Sequence, residues 1–378
     1  MTAREPCARP PQITLIGHPF APTGRGEDAR CAFRALREAG AHPRLLDLHG
    51  QFRPDEEAQA EFGGALSREP GRTNVFFVNG DEIEGALSKL GGMPRGARNI
   101  VYPAWELPAF PDVWRKELAR FDEVWAPSVF VQRSLDGFVA APVCLQNLPC
   151  EVGLGAMFAR KHFGIPDSAY CFLFFFDLRS YAERKNPAAA IEAFRLLLAA
   201  RPSADVCLAI KMNGSAADEE AAARIRLMAS SAGPRVVLID ATMSDDEVKS
   251  LVRCSDCFLS LHRSEGFGRG MAEAMFLGKP VVATAYSGNM DFMRAGNSLP
   301  VPYDLIAVRE GQYPEWRGQI WADPSVPEAA ARMASLVDDP SWGRSLGRVA
   351  RRDVALKLGY LPTGVRYLEA LDPPDLTV

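Results

Sequence analysis

The chain has no apolar stretch long enough to cross a bilayer, no strong excess of either charge and no cysteine framework. Each lack removes a class of function. Without a run of about 20 apolar residues, no membrane-spanning helix is expected. The first residues, Met1-Thr-Ala-Arg-Glu-Pro6, lack the apolar core of a signal peptide. A cytoplasmic protein is therefore expected, with peripheral contact at the inner face of a membrane left open. A net charge of -4 gives no basic footprint for nucleic acid. The eight cysteines are scattered, several inside apolar runs such as Tyr170-Cys-Phe-Leu-Phe174, and read as buried thiols of a reducing compartment. Cys254-Ser-Asp-Cys257 has the spacing of a metal or redox pair, but no second pair follows and His262 is not placed as a zinc-finger ligand. No Asp-x-Asp motif stands in a context suited to a divalent cation, since Asp245-Asp246 opens a helix. No metal and no cofactor are expected.

What is present is ordinary in bulk: 378 residues, 47% hydrophobic and 24% charged. That length exceeds what one hydrophobic core serves, so two domains are expected. A short buried strand at 13–17, the loop His18-Pro-Phe-Ala-Pro-Thr-Gly-Arg-Gly26 and a helix stopped by Gly40 begin the first. Strands are expected at 44–48, 74–78, 99–102 and 123–126. A second round starts at 170–176 and continues with helix 187–200, strand 205–210, helix 217–231, strand 235–239, helix 244–253, strand 257–261 and strand 280–283. Strand alternating with helix means a parallel sheet covered on both faces. The fold class is α/β, with two doubly wound, Rossmann-like domains facing across a cleft. The boundaries are 1–150, 151–355 and a helical tail 356–378, with the Gly- and Pro-containing stretch 147–166 as linker. Such sheets bind ligands at the carboxyl ends of their strands, so the cleft is the expected site.

The most informative run is Leu259-Ser-Leu-His-Arg-Ser-Glu-Gly-Phe-Gly-Arg-Gly-Met-Ala-Glu-Ala-Met-Phe-Leu-Gly-Lys-Pro-Val-Val-Ala283. Glu265 lies in a strand-end loop and Glu273 about two turns into the following helix. Eight residues at helical rise span roughly 12 Å, so the two carboxylates cannot share a metal or a proton. They can grip two parts of one elongated ligand, with a helix N-terminus between them as an anion site. A nucleotide sugar suits this arrangement. Glu273 would take the ribose hydroxyls, the helix N-terminus the diphosphate, and Glu265 with the amides of Gly266, Phe267 and Gly268 the sugar. The alternative is a surface acid followed by a helix acid placed by the macrodipole.

A second constellation is Phe174-Phe-Phe-Asp-Leu-Arg-Ser-Tyr-Ala-Glu-Arg-Lys-Asn-Pro187. Arg179 and Lys185 stand in a strand-end loop beside a helix capped by Asn186 with Pro187 at its first position. Two cations and a helix N-terminus are built for a diphosphate. Arg184 beside Lys185 is a second candidate. In the first domain, Trp105 at a strand end is placed to stack on a sugar face. The base would be met largely by backbone near Thr242 and Met243.

The Glu-x7-Glu spacing with Glu-Gly-Phe-Gly, together with Arg-x5-Lys, resembles the donor signature of retaining family-4 glycosyltransferases (glycosyl transferases group 1), which have the GT-B fold. The likeness covers the second domain best, roughly 172–291, and includes a Gly-Asn turn in Ser287-Gly-Asn-Met-Asp-Phe292 at the same cleft. It implies a retaining hexosyltransferase using a nucleoside-diphosphate sugar and a hydroxyl acceptor such as a glycan, a lipid-linked glycan or a small molecule. It implies Arg179, Lys185, Glu265 and Glu106 as catalytic residues, with Glu106 near where the family places a His. It implies an acceptor-side glycine loop at Gly24, Arg25 and Gly26, and a last helix that crosses back to the first domain. Arg269-Gly270 departs from the family, which often has an apolar residue and Pro there, and bears on the sugar pocket. Two other functions remain open at this level. A nucleotide-sugar epimerase or hydrolase would need ring acid/base groups, for which Glu106 and His18 are the candidates; a non-catalytic nucleotide-sugar binding module would need none.

Overall fold

The computed structural model describes residues 13–48 and 56–371. The N-terminal stretch read above, Cys7 and the tail beyond Leu371 lie outside these residues. The first domain runs β1 (Ile13–Gly17), α1 (Gly24–Glu38), β2 (Arg44–Asp47), α2 (Glu56–Phe62), β3 (Thr73–Phe76), α3 (Ile83–Lys89), β4 (Arg98–Val101), α4 (Arg115–Leu118), β5 (Glu123–Ala126), α5 (Val129–Ser134) and β6 (Val143–Leu145). Its strands form one parallel sheet in the order β2-β1-β3-β4-β5-β6. The second domain runs β7 (Tyr170–Asp177), α6 (Ala182–Lys185), α7 (Pro187–Ala200), β8 (Val206–Asn213), α8 (Glu219–Ser231), β9 (Val236–Asp240), α9 (Asp245–Cys254), β10 (Cys257–Ser260), α10 (Arg269–Phe276), β11 (Val281–Thr284) and β12 (Leu299–Val301). This sheet is also parallel, in the order β12-β11-β10-β7-β8-β9. Then come β13 (Tyr303–Ala307), β14 (Ile320–Pro324), α11 (Val326–Asp338), α12 (Pro340–Leu358) and α13 (Tyr360–Leu371).

The strands are continuous apolar runs because both sheet faces are covered. On β7, Cys171 and Leu173 face one core, and Phe172, Phe174 and Phe176 the other. Side-chain caps start the helices: Thr23 on α1, Asn186 with Pro187 on α7, and a capping box of Ser244 and Glu247 on α9.

Two elements tie the domains together. α13 packs on α1 of the first domain, and the backbones touch. A Cβ on Gly364 would sit 2.0 Å from the Ala35 carbonyl oxygen, so only glycine fits this crossing. The antiparallel ribbon β13–β14 reaches over from the second domain. Its Val308, Tyr313 and Trp321 join the core of Trp105, Leu107 and Phe110 in the first. Neither this ribbon, nor β6 and β12, nor α11 was expected from the sequence.

Candidate active site

The carboxyl ends of both sheets open on one cavity of about 450 Å³ between the domains. Of the residues named from the sequence, Gly24, Arg25, Glu106, Arg184, Lys185, Glu265, Gly266, Phe267, Gly268 and Glu273 line it. A second cavity, about 860 Å³, opens near Thr14, Gly40 and Leu371. Its lining includes His42, Arg44, Ser67 and Glu69 but none of the residues that gather around Glu265 and Glu273.

Glu265 is the hub. Its carboxylate accepts a hydrogen bond from Lys185 Nζ and lies 3.2 Å from Arg184 Nη1. Burial alone would raise its pKa, but the Lys185 and Arg184 charges outweigh that and hold it at about 2. Lys185 is pushed below the usual lysine range by burial, which Glu265 only partly offsets. Arg184 is only 3% exposed. Its Nη1 also donates to the Ser264 carbonyl at 3.0 Å, and its Nη2 lies 3.8 Å from Glu106 Oε1. Two cations, Arg184 and Lys185, thus face two carboxylates, Glu265 and Glu106, at one corner of the cavity. The N-terminus of α10, capped by Gly268, opens on the same cavity.

The Glu265 loop is braced from both sides. The Ser128 hydroxyl donates to the Gly266 carbonyl at 2.5 Å, and the Ser264 hydroxyl to the Glu106 carbonyl. A Cβ on Gly266 would lie 2.7 Å from the Trp105 carbonyl oxygen, so the first domain touches bare backbone there. Behind the loop, His262 is fully buried among Ser260, Asn289 and the Tyr286 carbonyl. Burial lowers its pKa, so it braces the loop as a neutral ring. The Ser287–Phe292 turn belongs to this brace and does not line the cavity.

Glu273 lies on α10, lining the cavity. Burial raises its pKa to about 7, against the lowering effect of Arg269. Arg269 crosses the cleft, its Nε and Nη2 donating to Asp28 Oδ1 of α1 at 3.0 and 2.5 Å. Arg25 holds the other oxygen of Asp28 at 3.1 Å.

Six residues named from the sequence lie off the cavity lining. Arg179 does not line the cavity; its backbone N–H, Nε and Nη2 all donate to the Asp177 carboxylate. Tyr181, with φ of 64°, breaks the chain direction between Arg179 and α6, so Arg184 is the residue turned inward beside Lys185. Trp105 presents no face to a sugar: its indole is 4% exposed, packed on Phe110, Trp114 and Tyr313, and its N–H donates to the Ala109 carbonyl. His18 lies outside the cavity, 3.9 Å from Glu82, and burial lowers its pKa. Gly26 is packed under the Ala21 and His18 carbonyls. Thr242 and Met243 stop short of the cavity; the Thr242 hydroxyl donates to Asn213, which does line it. Cys254 and Cys257 donate separately to the Phe158 and Phe258 carbonyls.

The sequence model of the family described as glycosyl transferases group 1 matches residues 160–351, half of the chain. The chain belongs to that family. No curated protein matches it in sequence. Among solved structures it is similar to HepE from Anabaena in complex with UDP and glucose, with a TM-score of 0.69 at 13% identity over 96% of this chain and 99% of that one. It is also similar to a glycosyltransferase from Rickettsia africae, TM-score 0.67 at 12% identity over 98% and 100% of the two chains. A third is sucrose-phosphate synthase from Thermosynechococcus elongatus, TM-score 0.64 at 15% identity over 95% and 98%. At these identities the likeness establishes the fold, two parallel-sheet Rossmann-like domains of GT-B type.

In this glycosyltransferase the sequence left several site residues unnamed. Asp28, Tyr313 and Lys211 belong to elements whose role appears only in three dimensions. Tyr313 donates its hydroxyl to Glu106 Oε2 from the β13–β14 ribbon. Lys211 sits at the carboxyl end of β8, inside the apolar string Ala209-Ile-Lys-Met212, and a lysine between such neighbours was the available signal. Among the described residues, no helix is long and apolar enough to cross a membrane.

Proposed function

We propose that the protein is a retaining glycosyltransferase that moves a hexose-type sugar from a nucleoside-diphosphate sugar to a hydroxyl acceptor, a glycan, a lipid-linked glycan or a small molecule. One observation carries this: Glu265, held by Arg184 and Lys185 at the N-terminus of α10, shares one interdomain cavity with Glu273 on the same helix. The bond between the sugar's anomeric carbon and the diphosphate oxygen breaks. Charge grows on the leaving diphosphate, where Lys185, Arg184 and the α10 amides meet it, the kind of prepared electrostatic field that lowers a barrier most. The acceptor oxygen bonds to the same face of the sugar and passes its proton to a diphosphate oxygen. Glu265 and the loop amides orient the sugar; Glu273 orients the ribose. Arg184 takes the part assigned from spacing to Arg179.

With Lys185, Arg184 and the α10 amides to meet the leaving diphosphate, the reaction is proposed to run without a metal, which chelation with EDTA would test. UDP complexes of HepE, and of TarM from S. aureus with α-GlcNAc-glycerol, support the substrate class. The decisive assay incubates the protein with a panel of nucleotide sugars and follows nucleoside diphosphate. Release that accelerates with an added hydroxyl acceptor supports transfer. Release indifferent to acceptors points to a hydrolase or a hydrolysing epimerase, and no release with the nucleotide sugar recovered unchanged points to a binding module.

A further inference from the structure

Lys211 is 7% exposed and lines the donor cavity, yet its ammonium forms no hydrogen bond or ion pair with any described residue. A lysine whose stem is buried and whose ammonium opens on a ligand cavity with no partner among the described residues is partly desolvated at a cost, and is placed for a ligand group. Its position says which group. The charged groups around Lys211 are Asp177, Arg179 and Glu247. Those around Glu265 are Lys185 and Arg184, and those around Glu273 are Arg269, Glu27, Asp245 and Lys249. Lys211 therefore stands at a third corner, apart from the sugar–diphosphate corner and the ribose corner. This corner is bounded by the end of β8, with Asn213 two residues on, and by Val248 of α9. Of the parts of a nucleotide sugar, the base alone is left for it.

We infer that Lys211 reads the nucleobase, donating to the carbonyl oxygen on the edge farthest from the ribose. That edge carries an oxygen in uracil (O4) and guanine (O6) and an amino group in cytosine and adenine. An ammonium donates to the oxygen of the first pair and opposes the amino group of the second, because two donors face each other, so one residue both attracts and rejects. The inference rests on the proposed nucleotide-sugar site and deepens it to a keto-base donor, uridine or guanosine. Arg184 and Lys185 serve the diphosphate without it.

The test measures dissociation constants of UDP, GDP, CDP and ADP for the full chain and for Lys211→Met, which keeps the length of the side chain and removes its charge. Wild type should bind UDP or GDP at least about tenfold more tightly than CDP and ADP, the factor carried by one charged hydrogen bond. The UDP and GDP arms identify which keto base fits. In Lys211→Met that preference should collapse to within about threefold, while affinity for inorganic pyrophosphate stays unchanged. Melting of the nucleotide-free variant should be no lower than wild type, because a desolvated charge has been removed, and this reports a folded protein. Equal loss for all four nucleotides and pyrophosphate would assign Lys211 to the phosphates and overturn the inference. An undiminished preference would overturn it too. Failure of wild type to bind any nucleoside diphosphate would instead sink the site assignment beneath it.

Discussion

At the scale of residues, Glu265 and Glu273 are the same side chain in opposite electrostatic settings, and pH separates them. Glu265 stays ionised down to about 2, so it cannot cause any change near neutrality. Glu273, raised to about 7 by burial, must shed its proton before both of its oxygens can accept, as a charged pair, from the two ribose hydroxyls. Affinity for a nucleotide sugar should therefore strengthen as pH rises toward about 7, by up to tenfold per unit, and level off above it. Isothermal titration from pH 5.5 to 8.5 reads this directly, and Glu273→Gln should bind weakly at every pH. A flat profile in wild type would remove Glu273 from the ribose. The same shift governs stability with the opposite sign. A folded-state pKa above the unfolded 4.5 means that the protonated form favours folding and that this contribution is lost as pH rises through about 7. Glu273→Gln should thus raise the melting temperature at pH 8.5, with the gain shrinking toward pH 5. The two arginines make a second prediction. Arg184→Met should lower kcat by about a hundredfold or more, the scale of losing one transition-state donor. Arg179→Ala should change kcat by less than about threefold, since Arg179 sits on Asp177 outside the cavity. Steady-state kinetics decides, and the reverse order would restore the role that spacing suggested. The Arg-x5-Lys spacing pointed to this loop and to Arg179, whereas the structure turns Arg184 into the cavity, because sequence does not register the turn at Tyr181 that resets which side faces inward.

Among the elements, the sequence was legible where the pattern is local. Buried strands such as Ile13–Gly17 and Glu123–Ala126, and the helix Pro187–Ala200 with its Asn186 cap, fall where periodicity and capping residues put them. The β13–β14 ribbon was not legible. Its strands are five residues each, partly exposed, and separated by a long loop holding Gly311, Pro314 and Gly318. What fixes the ribbon is tertiary: Trp321 and Tyr313 buried against the first domain, and Gln319 exchanging hydrogen bonds with the Ala109 backbone. It brings Tyr313 to Glu106, and the Tyr313 ring lies 5.9 Å from the Arg184 guanidinium. The ribbon thus fixes the carboxylate beside the diphosphate corner. Tyr313→Phe keeps the ring and removes only that hydrogen bond. It should lower kcat severalfold, the effect of about 1 kcal/mol, while the affinity for nucleoside diphosphate stays within twofold. Equal loss of both would mean that the ribbon merely stabilises the fold.

For the whole molecule, the site exists only while the two domains touch. Ser128 on Gly266, Ser264 on the Glu106 carbonyl and Arg269 on Asp28 all cross the cleft. Asp28→Ala would leave the Arg269 guanidinium without its carboxylate, and breaking one side of such a shielded pair costs about 3 kcal/mol. Small-angle scattering should then find a larger radius of gyration in the free variant, with nucleotide sugar restoring the wild-type value. An unchanged radius would show that this bridge does not hold the cleft shut. Closure bears on stereochemistry as well, because an acceptor admitted beside the leaving diphosphate attacks from the leaving-group side and hands its proton to that diphosphate. The most direct test of the account is NMR of the first-formed product, before any spontaneous exchange at the anomeric carbon. A product with the anomeric configuration of the donor is predicted, and an inverted product would contradict the mechanism even with the fold intact.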